Sequence, residues 1–107
     1  MNIVWSPHAE ELLEDIVLGI ASALSIDNGL AWESRLREAA DQLADYPYLG
    51  MEIPLSCFHT IPENIDRLRQ IICKPYRIVY EPVEDEIHIL SIRHARMLVA
   101  EGDTDWS

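Results

Sequence analysis

A chain of 107 residues, 49% hydrophobic and 25% charged, has enough apolar material for one modest core without metal or disulfide staples. That composition excludes bulk disorder, and no apolar run approaches the roughly 20 residues needed to cross a bilayer. A formal charge of −11 excludes any general electrostatic attraction to nucleic acid.

Asn2 to Trp5 predicts a short strand. Ser6-Pro7 then supplies an N-cap followed by proline at the first helical position. Leu12, Leu13, Ile16, Val17, Ile20 and Leu24 form the apolar stripe of an amphipathic helix, with Glu10, Glu11, Glu14 and Asp15 towards its N-terminal end. Ser25 to Gly29 interrupts the pattern, and a second helix carries Leu30, Trp32, Leu36, Ala39, Ala40 and Leu43 before Pro47. Two such helices joined by a short turn predict an antiparallel hairpin, in which His8 reads as a surface residue and Trp32 as a core residue. The stretch from Tyr48 to Asn64 reads as irregular, with room for a short strand around Met51 to Leu55. Three strands follow, over Arg67 to Cys73, Tyr76 to Pro82 and Ile87 to Arg93. Connections this short require antiparallel pairing. Ala95 to Glu101 is expected to form a short final helix before a frayed tail over 102–107.

The predicted order is therefore β-α-α-β-β-β, a single α+β domain over 1–107. The helix hairpin would pack on one face of an antiparallel sheet in two layers, leaving the other face partly open for a site. The N-terminus has no basic n-region, which predicts a cytoplasmic protein with Cys57 and Cys73 reduced. Cys57-x-His59 lacks the further ligands of a metal site, so no metal and no cofactor is expected.

Charge is distributed unevenly along this frame. Six of the eight basic residues, Arg67, Arg69, Lys74, Arg77, Arg93 and Arg96, fall between positions 67 and 96, whereas residues 1–66 carry twelve acids against Arg35 and Arg37. Side chains alternate across a strand. Provided the register aligns them, one sheet face would present Arg67, Arg69, Arg77 and Arg93, with His94 and Arg96 at its rim. Arginine offers a planar fork of donors to phosphate or carboxylate, and a histidine can act as acid or base near neutrality. The competing reading is that the arginines form ion pairs with the acidic surroundings.

The runs Leu68-Arg69-Gln70-Ile71, Pro75-Tyr76-Arg77-Ile78-Val79-Tyr80 and Ile89-Leu90-Ser91-Ile92-Arg93-His94-Ala95-Arg96 resemble the C-terminal half of the RelE/ParE toxins of bacterial type II toxin–antitoxin systems, proteins of the plasmid-stabilisation type. The N-terminal half is similar through Trp5, through Ala9, Leu12 and Ile16, and through Pro47-x-x-Gly50. The resemblance implies the family's fold and a cognate antitoxin partner whose extended segment adds to the sheet edge. DNA would then be contacted only through that antitoxin. For the RelE-like branch it implies ribosome-dependent endonuclease activity on mRNA, with Arg77, His94 and Arg96 catalytic and Arg69 in support. For the ParE-like branch it implies inhibition of DNA gyrase, with Arg67, Arg69, Arg77, Arg93 and Arg96 as target-binding residues. The His94-Ala95-Arg96 ending and the acidic background place the chain closer to the ParE-like branch. An inactive toxin fold held by its antitoxin is the third possibility.

Overall fold

The computed structural model describes residues 1–107. Serine caps set both helices. Ser6 Oγ accepts from the Ala9 N–H at 3.0 Å and donates to the Leu90 carbonyl, tying the start of α1 (Pro7–Ala23) to the sheet. Ser25 Oγ accepts from the Asn28 N–H at 3.1 Å and opens α2 (Ile26–Asp41). The two helices lie close because Gly29 stands against the backbone of α1. A Cβ there would sit 2.9 Å from the Val17 carbonyl oxygen.

Five strands form one sheet: β1 (Asn2–Trp5), β2 (Met51–Glu52), β3 (Arg69–Cys73), β4 (Tyr76–Val83) and β5 (Glu86–His94). Their spatial order is β1-β5-β4-β3-β2, with β1 parallel to β5 and the other neighbours antiparallel. The chain thus has the α+β architecture and the element order read from its pattern, with β2 as a two-residue edge. Ala9, Leu13, Leu36, Ala40 and Leu43 from the helix side pack on Ile78, Tyr80, Ile87, Ile89 and Ile92. Burying a side chain of this size stabilises the fold by about 1.5–3 kcal/mol.

The opposite face of the sheet is not open. Val79 and Leu90 lie there under Ile53, Phe58, Leu68 and Val99, which the 53–68 segment and the C-terminal tail lay across the sheet. A β-bulge makes this second cluster. Val79 pairs with Ser91 and Tyr80 with Ile89, so Leu90 is the extra residue and turns away from the helices. Without the bulge, strict alternation would have placed Leu90 beside Ile92.

Two expected boundaries change. The strand expected from Arg67 starts at Arg69, because Ile65–Arg67 forms a 3-10 turn closed by Leu68 N–H to the Ile65 carbonyl at 3.3 Å. The helix expected over Ala95 to Glu101 does not form. The Val99 N–H instead donates to the Cys57 carbonyl at 2.7 Å, and the Arg77 guanidinium occupies the carbonyls of Ala95 and Met97 that a helix would use. The tail beyond it is held: Asp103 and Thr104 are buried, and the Ser107 carbonyl accepts from the His8 N–H.

Candidate functional site

The strand register distributes the predicted arginines over two faces. Arg69 pairs with Tyr80 and so lies on the helix side, whereas Arg77 pairs with Arg93 on the covered side. Each of these side chains already has internal partners. The Arg69 guanidinium donates to the Gly50 carbonyl at 2.6 and 2.9 Å and lies 5.4 Å from the Tyr48 ring. Arg67 is an exposed partner of Glu81, with Nε 2.6 Å from the carboxylate. Arg77 is 6% exposed and donates to the carbonyls of Met97 and Ala95, both at 3.2 Å. Arg93 binds the Asp103 carboxylate through Nε and a terminal nitrogen, both at 3.0 Å.

Asp103 organises that corner. Its carboxylate, fully buried, accepts from Arg93, from the Ala100 N–H at 3.0 Å, and shares a 2.8 Å contact with His8 Nε2. Burial alone would raise its pKa, but the hydrogen bonds from Arg93, His8 and Ala100 outweigh it and hold the carboxyl below the ordinary 3.8. Sequence reasoning missed both Asp103 and its partner His8, since one acid near a chain end carries no local signal. Tyr80 was also missed. Its hydroxyl donates to the Pro47 carbonyl at 2.8 Å and accepts from the buried Gly50 N–H at 2.9 Å, which gives the Pro47-x-x-Gly50 segment a physical role. Burial pushes the Tyr80 hydroxyl above its ordinary pKa, against the Gly50 hydrogen bond and the Arg69 charge.

Three cationic side chains have no hydrogen-bond or ion-pair partner: Arg35, Lys74 and Arg96. They gather at one end of the sheet. The Arg35 guanidinium lies 4.3 Å over the Trp32 ring, and Trp32 meets Tyr76 edge-on at 5.4 Å. Tyr76 in turn meets His94 edge-on at 6.1 Å. The Ala95 N–H donates to the Pro75 carbonyl at 2.8 Å, bringing the turn that carries Lys74 beside the turn that carries Arg96. His94 Nδ1 accepts from the Arg96 N–H at 3.1 Å. Between this aromatic row and α1 lies a cleft of about 240 Å³, walled by Leu12, Ile16, Ile92 and Met97, with Asp15, Tyr76, Arg93 and His94 at its rim. Burial raises the Tyr76 hydroxyl pKa above its ordinary value.

The outward side of the helix hairpin has the opposite character. Glu10, Glu11, Glu14 and Glu33 surround a groove floored by Leu13, Val17 and Leu18. Only Arg37 intrudes, bound to Glu10 at 2.8 Å and to Glu33 at 3.4 Å, with its pKa raised chiefly by the Glu10 hydrogen bond.

The molecule thus presents a helix hairpin on one face of a five-stranded sheet, an acidic groove on the hairpin, and a cationic aromatic end. The sequence model described as ParE toxin of type II toxin-antitoxin system, parDE, matches residues 3–99, and the chain belongs to that family. It is therefore a toxin-family member of a type II toxin–antitoxin module, a system that pairs a toxin with an antitoxin. Among solved structures, a chain of the chromosomal ParDE TA system from P. aeruginosa is similar in fold, with a TM-score of 0.70 at 19% identity over 88% of this chain and 95% of that one. No curated protein matches the sequence significantly. No helix is long and apolar enough to cross a membrane.

Proposed function

We propose that this toxin arrests growth by inhibiting DNA gyrase through a protein–protein contact, with mRNA cleavage on the ribosome as the alternative activity. The observation that carries this reading is the engagement of the arginines. Cleavage by 2′-hydroxyl attack needs a base, an acid and a free cation against the phosphorane. Arg77, the natural clamp, is buried and spends its donors on Ala95 and Met97, while Arg93 is neutralised by Asp103. His94 and Arg96 remain accessible but have no third group converging on the same point. A local cationic surface used for protein recognition requires no such convergence.

The antitoxin partner fits the remaining surfaces. The outer edge of β3 is paired by β2 only at Arg69 and Gln70, so Ile71–Cys73 can accept an added strand, and Ile72 beside it is exposed. The acidic hairpin groove suits a basic amphipathic helix.

The test is a supercoiling assay with purified gyrase run beside a translating-ribosome assay that maps message ends. Inhibited supercoiling with intact message is the expected result. Cleaved message with unaffected supercoiling would move the chain to the endonuclease reading, and inactivity in both would leave an antitoxin-held fold without toxicity.

A further inference from the structure

We propose that Cys57 is a site of reversible oxidation, where a hydroperoxide converts the thiol to a sulfenic acid that the Arg77 guanidinium holds. The site is independent of what the toxin targets. Two observations carry it. Cys57, half-buried at the end of the Leu55–Cys57 turn, has its Sγ 3.5 Å from a terminal nitrogen of Arg77. Arg77 is itself only 6% exposed, yet it forms no ion pair, in contrast to Arg37, Arg67 and Arg93, and its Nε has no hydrogen-bond partner. A buried cation ordinarily sits against a carboxylate, because an isolated buried charge is costly. Arg77 instead has the carbonyls of Ala95 and Met97 and the sulfur of Cys57. Of these three, only the sulfur can be converted chemically into a better acceptor. Cys73 is also a free, half-buried thiol, but its sulfur makes no hydrogen bond to a cation.

The Cys57 proton passes to water, and the thiolate, the nucleophilic form, attacks one peroxide oxygen. An S–O bond forms as the O–O bond breaks. The departing oxygen takes up a proton, so one thiol and one hydroperoxide give one sulfenic acid and one water or alcohol. Sulfur is oxidised by two electrons and the peroxide is reduced by two. Negative charge grows on the departing oxygen, and a guanidinium fixed beside the sulfur stabilises it without reorganising. In the product, the oxygen on Sγ accepts from the Arg77 donors more strongly than sulfur does. Donors drawn to that oxygen loosen their hold on the Ala95 and Met97 carbonyls, so oxidation is felt in the turn that carries Arg96. A small thiol reverses the change. It condenses with the sulfenic acid to a mixed disulfide and water, and a second thiol then releases Cys57 and leaves as the small disulfide.

The full chain is treated with hydrogen peroxide in the presence of dimedone, a carbon nucleophile that traps sulfenic acids, and the adducts are located by peptide mass spectrometry. In the folded protein Cys57 should be labelled at least about tenfold faster than Cys73. In concentrated urea, where the Arg77 contact is gone, the two should react alike. Arg77→Lys should keep part of the preference and Arg77→Gln should abolish it. If the glutamine variant fails to fold by circular dichroism, the urea comparison on the parent protein decides. Three results would each overturn the proposal: Cys73 labelled as fast as Cys57, a preference for Cys57 that persists in urea, or a folded Arg77→Gln variant with the parent rate. Peroxide without dimedone should also shift the amide signals around Ala95 and Met97 in the parent and in Cys73→Ser, but not in Cys57→Ser. Oxidised Cys57 with unshifted signals there would overturn the assigned contact with Arg77.

Discussion

Replacing Asp103 with alanine removes the acceptor for four hydrogen bonds: two from Arg93, one from the Ala100 N–H and one shared with His8. Breaking a buried ion pair by deleting one partner costs about 3–5 kcal/mol. Here the freed partners keep some solvent access, 27% for the Arg93 side chain and 24% for His8, so both partly rehydrate and the expected loss is about 3 kcal/mol. With a urea m-value of about 1.5 kcal/mol per molar, the unfolding midpoint should fall by about 2 M. Asparagine at 103 should recover little, because its NH2 group would face the donors of Arg93 or His8. The acid limb gives an independent check. The folded-state pKa of Asp103 lies below its unfolded value of about 3.8, so the unfolded chain takes up the proton first as pH falls. Its contribution is complete above about pH 5 and is lost as pH drops through the folded pKa. The Asp103→Asn variant should therefore show a shallower loss of stability on acidification than the parent protein. An unfolding free energy within about 0.5 kcal/mol of the parent, with superimposable acid limbs, would refute the argument that this carboxylate fastens the tail.

Four further outcomes are expected. Gly50→Ala would place a Cβ 2.5 Å from the Gln70 carbonyl oxygen and 2.7 Å from the Tyr80 ring, so circular-dichroism melts should show a loss of about 3 kcal/mol. Tyr80→Phe strands the buried Gly50 N–H and should cost about 1–3 kcal/mol in urea unfolding, with faster hydrogen exchange at Gly50. Arg77→Ala should lower the melting temperature and impair antitoxin capture and growth arrest together, because its guanidinium fastens Ala95 and Met97. Arg96→Ala, at an exposed position, should leave the melting temperature within about 2 °C of the parent, and its growth arrest should be weakened in a plating assay.

The legible part of the fold is the part that depends on local pattern. Ser6-Pro7 marked the first helix start, and period-2 runs around Tyr76 and Ile87 marked the long hairpin; Ser25 to Gly29, read as an interruption, is instead the cap and first turn of α2. The site was only partly legible. Arg96 and His94 were named from their place after an apolar strand; His94 lines the cleft beside α1, and Arg96 is exposed in the turn that follows. Trp32 was read as a core residue and Tyr76 only as the start of a strand, yet they form the aromatic row that joins Arg35 to His94. Lys74 was noted for its charge alone.

Composition and periodicity determined the class of fold, the helix hairpin and the presence of an arginine-rich island, because each follows from residues close together in the chain. Which arginines stay free was decided only by tertiary structure. A single extra residue at Leu90 turns part of β5 to the other face. Register then separates Arg69 from Arg77, and a carboxylate ten residues beyond Arg93 folds back to neutralise it. These pairings depend on long-range geometry, which no local period encodes. They convert an apparent phosphate-binding face into a covered structural one and leave the accessible charge at the end of the sheet.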